Sequence, residues 1–82
     1  MYKIIIKIDG MKCNMCESHV NDLVRKNIKI KKVSSSYKKN ETIIFSLNFI
    51  NKEDIISIFK DSGYKVLDYE INEVKKVWLL YK

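Results

Sequence analysis

The chain has no apolar run that approaches the roughly 20 residues needed to cross a bilayer. Its first ten residues, MYKIIIKIDG, contain no small-residue cleavage site. Their apolar positions alternate with Lys3 and Lys7, which predicts a strand rather than a signal peptide. We therefore expect a cytoplasmic protein without membrane insertion. In that compartment a cysteine pair is more often a metal or redox pair than a structural disulfide.

Groups that could carry catalysis or close a zinc site are also few. The 82 residues include two cysteines and one histidine. No general base, nucleophile dyad or phosphate-binding loop can be identified, so we predict that the chain is not an enzyme. A closed structural zinc site needs four ligands, whereas Cys13, Cys16 and His19 supply at most three.

Positive charge predominates among the ionisable residues. Sixteen lysines and arginines face ten acidic residues, which gives a formal net charge of +6. All of these cations except Arg25 are lysine. This composition favours charge-steered docking on an acidic partner over bidentate recognition of phosphates or bases.

Period-two alternation predicts four strands. We expect the third strand to turn Ile43, Phe45 and Leu47 towards the core. In the fourth strand, Val66 and Tyr69 should lie on opposite faces. The predicted strands cover residues 2–8, 33–37, 41–47 and 64–71.

A period of 3.6 residues predicts two helices. The first runs from about Asn14 to Asn27, with Asn14 as a possible cap and Glu17 at the capping-box position. The second follows Asn51 as its cap and stops at Gly63. Its predicted buried residues are Ile55, Ile56 and Phe59.

The element order defines the expected fold class. Strand, helix, strand, strand, helix, strand is an α+β arrangement, a ferredoxin-like βαββαβ sandwich with a four-stranded antiparallel sheet and both helices on one face. Asn40 should take a left-handed conformation in the turn between the second and third strands. RNA-binding domains share this strand order, but VSSSY and YKIIIKI do not resemble their aromatic strand motifs. We therefore expect no nucleic-acid partner.

The predicted domain covers residues 1–71, and residues 72–82 form a short C-terminal extension. Val74, Val77, Trp78 and Tyr81 match a helical stripe, although KVWLLY fits a strand equally well. The extension could pair two molecules or precede a removed region. Our preferred interpretation is that it covers the bare face of the sheet.

The segment GMKCNMC carries the chemistry. Two cysteines separated by two residues can present both sulfurs to one metal ion, and the start of a helix lowers thiol pKa values. A site of two thiolates is soft and favours Cu(I) and related thiophilic ions. Spacing alone leaves two alternatives open, which are a thiol–disulfide redox pair and a zinc-binding protein.

GMKCNMC, residues 10–16, resembles the GMxCxxC loop of heavy-metal-associated domains. These are the copper metallochaperones and the N-terminal metal-binding domains of metal-transporting P-type ATPases. The resemblance covers residues 2 to about 71, and DSGYKV, residues 61–66, is similar to the segment before the last strand of that family. It implies that Cys13 and Cys16 bind Cu(I), with Zn(II) or another thiophilic ion possible. It also implies a carrier that passes its ion to a P-type ATPase or another acidic metal-binding domain, as a monomer or a metal-bridged dimer.

The resemblance also implies roles around the cysteine pair. Met11 should pack beneath the loop, and Tyr64 should lie beside it. Lys12 stands where zinc- and cadmium-exporting relatives often carry aspartate. Because a charged lysine cannot ligate a metal, it favours Cu(I). His19, one turn after Cys16, is a weak candidate third ligand whose preferred interpretation is an exposed bystander.

Overall fold

The computed structural model describes residues 1–74, and it confirms the predicted element order. Four strands form one antiparallel sheet in the order β2-β3-β1-β4. This is the expected ferredoxin-like βαββαβ sandwich. The elements are β1 (Tyr2–Asp9), α1 (Asn14–Asn27), β2 (Lys32–Ser36), β3 (Glu41–Ser46), α2 (Lys52–Phe59) and β4 (Lys65–Glu73).

One face of the sheet and one face of each helix share a single core. The alternation of β1 has the predicted effect, since Ile4, Ile6 and Ile8 are fully buried. Both helices contribute to the same cluster, which places them on the same face of the sheet. The core consists of Ile4, Ile6, Ile8, Met11, Val20, Val24, Val33, Ile44, Ile50, Ile55 and Phe59.

The predicted inward face of β3 is wrong. Ile44 pairs directly with the buried Ile4, so residues 42, 44 and 46 face the core. The polar members of this set are satisfied, because Thr42 bonds the Ser35 hydroxyl at 2.9 Å and Ser46 donates to the Asn48 carbonyl at 2.9 Å. The residues predicted to face inward are half-buried or exposed instead: Ile43, Phe45 and Leu47.

An irregularity in β4 overturns a second expectation. Lys7 pairs with Asp68 but Ile8 pairs with Val66, so Leu67 is an extra residue in the ladder. This bulge shifts the alternation by one position. Val66 and Tyr69 therefore both pack against the core, although strict alternation predicts opposite faces.

The helix bounds are closer to prediction than the helix caps. Helix α1 has the predicted bounds, but Cys13 rather than Asn14 is its N-cap residue, and no side chain caps it. Glu17 makes no capping box. Its carboxylate instead accepts a hydrogen bond from the backbone N–H of Tyr37 at 2.8 Å. This bond ties the β2–β3 turn to the start of α1, and Asn40 in that turn has the predicted positive φ of 52°.

Helix α2 follows Asn51 as predicted but ends at Phe59, four residues before Gly63. The Ser62 hydroxyl donates to the Phe59 carbonyl at 2.8 Å, so a polar side chain satisfies this helix end. Ile55 and Phe59 are buried as predicted. Ile56 is 45% exposed, and its predicted burial is wrong.

The last strand runs to Glu73, past the predicted domain boundary at residue 71. Beyond it, the Val74 N–H donates to the Met1 carbonyl at 2.7 Å. The predictions for Val77, Trp78 and Tyr81 lie outside the described residues. No helix within residues 1–74 has the length and apolar character of a membrane span.

Tyr69 gives a test of the packing between β4 and the segment that precedes α2. Its hydroxyl donates to the Ile50 carbonyl, and burial, with a smaller effect of Asp54, raises the pKa of Tyr69 above its usual range. We expect Tyr69→Phe to lower the free energy of unfolding by about 1 kcal/mol at neutral pH. Urea titrations of both proteins measure this difference.

The pH dependence of that difference follows from the sign of the shift. A raised pKa in the folded protein means that stabilisation is fully present below the pKa of an unfolded tyrosine, about 10. It is lost as the pH rises through the higher folded value. The gap between wild type and Tyr69→Phe should therefore narrow above about pH 10. A gap that stays constant across this range would contradict the assignment.

Candidate metal centre

The loop between β1 and α1 depends on a glycine at its start. Gly10 has a φ of 112°, a conformation that side chains with a Cβ rarely adopt. A Cβ at this position would lie 3.2 Å from Cδ1 of Tyr64 and 3.3 Å from the Gly63 carbonyl oxygen. The absent side chain therefore lets the loop pass directly against the start of β4.

The next residue anchors the loop from below. Met11 is only 4% exposed and belongs to the hydrophobic core. Lys12 follows on the surface. The chain thus passes from the core to the surface between Met11 and Lys12, so the cysteines that follow lie near the surface.

The two cysteines lie at the junction of the loop and the helix. Cys13 has extended backbone as the N-cap residue of α1, and its carbonyl accepts the N–H of Cys16 at 3.0 Å. Cys16 occupies the first helical turn. The two Sγ atoms are 3.9 Å apart and carry free thiols, with Cys13 exposed and Cys16 half-buried.

This separation suits joint coordination of one ion. With metal–sulfur bonds of about 2.3 Å, two sulfurs 3.9 Å apart give a sulfur–metal–sulfur angle of roughly 115°. A linear arrangement needs a separation of about 4.6 Å with the same bonds. Cys13 is exposed, so its side chain has room to make that adjustment.

Hydrogen bonds prepare Cys16 for the thiolate form. The backbone N–H of Lys12 is the largest influence that lowers the pKa of Cys16, and the Tyr64 hydroxyl lowers it further. Partial burial acts in the opposite direction but is the smaller influence. Because the thiolate is the form that binds metal, these donors favour metal capture.

Tyr64 is held at the site from the other side. Its ring packs edge-on against Phe59, with the ring centroids 6.5 Å apart. Burial raises the pKa of Tyr64, and the neighbouring Cys16 thiolate raises it further. The hydroxyl therefore stays protonated at neutral pH and can donate to the sulfur.

A variant of Tyr64 tests this donor. Tyr64→Phe keeps the ring but removes the hydroxyl, so the pKa of Cys16 should rise and its thiolate fraction at pH 7 should fall. We expect iodoacetamide to alkylate Cys16 more slowly in this variant, measured by mass spectrometry over a pH series. Tyr69→Phe, which removes a hydroxyl away from the site, is the matched control. An unchanged pH profile in Tyr64→Phe would show that the hydroxyl does not act on the sulfur.

Two other candidate side chains near the pair are exposed. Met15, between the cysteines, is 69% exposed, and His19 is exposed one turn beyond Cys16. Within residues 1–74, no three side chains of His, Cys, Asp or Glu gather closely enough to hold one metal ion. The described site thus offers two sulfurs and no third ligand of these kinds.

The sequence predicted that the helix start lowers thiol pKa values, because free backbone N–H groups accumulate there. The structure identifies the individual donor, since the backbone N–H of Lys12 is the largest influence that lowers the pKa of Cys16. Residue types cannot reveal which backbone donor acts.

A βαββαβ sandwich with a CxxC loop between β1 and α1 is the arrangement of heavy-metal-associated domains, and the comparisons with known proteins confirm that resemblance. A mercuric reductase of Lysinibacillus sphaericus is 32% identical over 77 residues, which are 94% of this chain. The chain spans only 14% of the length of that enzyme. A scan against models of protein families finds no match.

Solved structures agree with the fold. A copper-binding domain from the P-type ATPase HMA7 superposes with a TM-score of 0.68 and 27% identity, covering 89% of this chain and 96% of that domain. A chain of the Atx1–Cu(I)–Ccc2a complex gives a TM-score of 0.67 and 27% identity, covering 89% and 97% of the two chains. These two structures thus have the same architecture as this domain and match it over 89% of the chain.

Proposed function

We propose that this chain binds a thiophilic metal ion, Cu(I), through the thiolates of Cys13 and Cys16, and passes it to a second metal-binding domain by ligand exchange. The observation that carries the proposal is the pair of sulfurs 3.9 Å apart on an exposed loop, with hydrogen bonds that favour the thiolate of Cys16. Two soft ligands on an accessible loop suit a cargo that must be released as well as held.

Within residues 1–74 no third His, Cys, Asp or Glu side chain gathers with the cysteine pair, which supports Cu(I) over Zn(II). Zinc is almost always four-coordinate in structural sites, so it would need ligands from outside the described site. Lys12 adds to this preference because it offers no oxygen ligand where an aspartate would. The copper-binding structures similar to this chain are consistent with the same cargo.

Hg(II) is a second candidate cargo, and one specific observation favours it. The curated relative that matches 94% of this chain is a mercuric reductase. Mercury is also thiophilic, and two thiolates are sufficient to attract it. Because the chain covers only 14% of that enzyme, the match supports binding of the ion and carries no proposal of reductase activity.

The proposed transfer proceeds through shared coordination. A thiolate of the acceptor adds to the exposed ion, and one thiolate of the donor leaves. A second exchange then completes the transfer. Cys13 is the more exposed of the two ligands, so we expect it to leave first. The Atx1–Cu(I)–Ccc2a complex supports an encounter between two such domains around one Cu(I).

Lysines near the loop would steer an acidic acceptor to this end of the domain. The β2–β3 turn carries Lys38 and Lys39 and lies at the loop end of β1, because the Ile8 N–H donates to the Asn40 carbonyl at 2.8 Å. Lys12 lies in the loop itself, and Lys65 pairs with Asp9 at the same end of the sheet. Each of these four lysines is exposed. The similarity to a copper-binding domain of a P-type ATPase supports such a domain as the acceptor.

The direct test is a titration of the reduced protein with Cu(I) in the presence of a competing chelator. We expect one Cu(I) per chain, held more tightly than Zn(II) under the same conditions. A parallel titration with Hg(II) ranks the second candidate. Failure to compete for Cu(I) would end the carrier proposal. The thiol–disulfide alternative would then be tested. Closing that disulfide requires the two sulfurs to approach from 3.9 Å to about 2.05 Å.

Transfer kinetics should depend on the lysines near the loop. The double variant Lys38→Glu/Lys39→Glu should slow association with an acidic acceptor and reduce the salt dependence of the rate, with a smaller effect on Cu(I) affinity. Stopped-flow mixing of the loaded chain with the acceptor measures both quantities. The matched control is Lys29→Glu/Lys31→Glu, which makes the same charge change at the other end of the domain. Equal slowing by both pairs would contradict docking at the metal end.

A further inference from the structure

The end of the domain opposite the metal loop carries exposed apolar side chains next to lysines. The loop before β2 and the loop after β3 line the same groove there, and the Lys31 N–H donates to the Phe45 carbonyl of β3 at 2.8 Å. Leu47 is 59% exposed and Phe49 is 57% exposed. A groove of about 290 Å³ separates the loops. We use the term basic apolar tip for Lys29, Lys31, Lys32, Leu47 and Phe49.

The basic apolar tip contains three lysines, and acidic residues lie at the same end of the domain: Asp54 lines a groove with Ile28, and Glu73 is opposite Tyr2 in the sheet. Residues 27–32 and 47–51 contain three lysines and no acidic residue. All three lysines are exposed. Among residues 1–74 the ion pairs are Lys7 with Glu41 and Arg25 with Asp22, so no lysine of the tip forms a close ion pair in the described part of the chain.

The last described residue, Val74, lies at the same end. The Val74 N–H donates to the Met1 carbonyl at 2.7 Å, which places the last described residue beside the start of β1. The following eight residues are KKVWLLYK. Tryptophan, tyrosine and leucine flanked by lysine form the composition that favours a membrane–water boundary. The last described residue therefore lies at the same end of the domain as the tip.

From this juxtaposition we propose that the basic apolar tip is a docking surface for an anionic lipid bilayer. Lysines are attracted to acidic headgroups, and Leu47 and Phe49 can enter the boundary between headgroups and acyl chains. A second copy of the chain is a poor occupant, because it would bring two sets of unpaired lysines together. An acidic protein would satisfy the lysines but does not require the two exposed apolar side chains, Leu47 and Phe49.

Docking in this way leaves the metal loop accessible. The tip lies beyond Tyr2 and the metal loop lies beyond Asp9, at opposite ends of the eight-residue strand β1. At about 3.4 Å per residue this strand separates the two ends by roughly 24 Å. A domain held at the membrane by its tip would therefore present the cysteines towards the aqueous side.

Cosedimentation with vesicles tests the proposal on the full chain. One set of vesicles contains phosphatidylglycerol and phosphatidylcholine in equal amounts, and the other contains phosphatidylcholine alone. We expect binding to the anionic vesicles that weakens as salt is added, and little binding to the neutral ones. Lys29→Glu/Lys31→Glu should weaken binding by about 25-fold or more, since each lysine contributes about fivefold. Leu47→Ser/Phe49→Ser keeps the net charge, so a weaker binding of this variant to the anionic vesicles measures the apolar contribution. We expect such a weakening.

Matched variants separate the tip from general electrostatic attraction. Lys38→Glu/Lys39→Glu has the same net charge but changes the metal end, so it should bind vesicles almost as wild type does. Circular dichroism checks that every variant is folded. Equal losses in both lysine pairs would overturn the proposal. The proposal would also be overturned if deletion of residues 75–82 abolished vesicle binding while the tip variants had no effect. Binding to polyglutamate without any binding to vesicles would overturn it too.

Discussion

Replacing either cysteine should cost more than about 100-fold in Cu(I) affinity. Changes outside the coordination shell typically cost about 10–100-fold, and serine at position 13 or 16 removes a ligand itself. The described residues offer no third His, Cys, Asp or Glu to take its place. Competitive titration of Cys13→Ser and Cys16→Ser against the same chelator as wild type measures the loss. Cys16→Ser also removes the thiolate that the Lys12 N–H and the Tyr64 hydroxyl favour.

The control for this prediction is the histidine one turn away. His19→Ala should keep the affinity of the wild type, because His19 is exposed and does not gather with the cysteines into a ligand group. A large loss in His19→Ala would make it a third ligand. Retention of tight binding in both serine variants would show that the metal is held elsewhere.

The largest effect on stability should come from Phe59→Ala. Phe59 is 2% exposed and lies at the end of α2, where its ring supports Tyr64 edge-on. Truncation of a buried phenylalanine costs about 3–5 kcal/mol. Native proteins have about 5–15 kcal/mol of stability in total, so this loss is a large share of it. We expect the midpoint of thermal unfolding to fall by about 15 °C or more.

Ile56→Ala is the matched control on the same helix. Ile56 is 45% exposed, so its truncation removes little buried area and should cost under about 1 kcal/mol. Similar losses from the two variants would mean that the assigned face of α2 is wrong. Phe59→Ala should also raise the pKa of Cys16 in protein that remains folded, because Tyr64 loses its support.

The sequence predicted the architecture well wherever apolar residues follow a simple period. The isoleucines of β1 and the residues of α1 are clear examples: α1 has the expected bounds, and β1 extends one residue beyond the prediction, to Asp9. The prediction failed for β3, where Thr42 and Ser46 are buried because other polar groups satisfy them. A pattern of residue types shows apolar content but does not show which polar groups will find partners.

Register irregularities are a second limit. The bulge at Leu67 places Val66 and Tyr69 on one side of β4, and nothing in the residue pattern marks the extra position. Helix ends show the same difficulty, since Glu17 bonds the backbone of Tyr37, which is distant in sequence. Such contacts depend on tertiary structure, so a capping-box sequence alone does not show which backbone N–H the Glu17 carboxylate will bond.

The sequence indicated the cysteine pair and the lowering of thiol pKa values by the helix start, but not the individual hydrogen-bond donors. GMKCNMC indicates Cys13 and Cys16 from spacing and from the helix start, and the structure brings their sulfurs to 3.9 Å. The position of Tyr64 against Gly10 requires the three-dimensional packing of β4 on the loop. Ligation by these cysteines, the identity of the ion, the cytoplasmic location and the absence of a nucleic-acid partner stay predictions.

The central claim is that two cysteine sulfurs alone hold the cargo. X-ray absorption spectroscopy at the copper edge, on the reduced chain loaded with one equivalent of Cu(I), tests it most directly. We predict an oxidation state of Cu(I) and a first coordination shell that contains only sulfur, supplied by Cys13 and Cys16. A nitrogen or oxygen neighbour in that shell, or an unchanged shell in Cys13→Ser, would contradict the account.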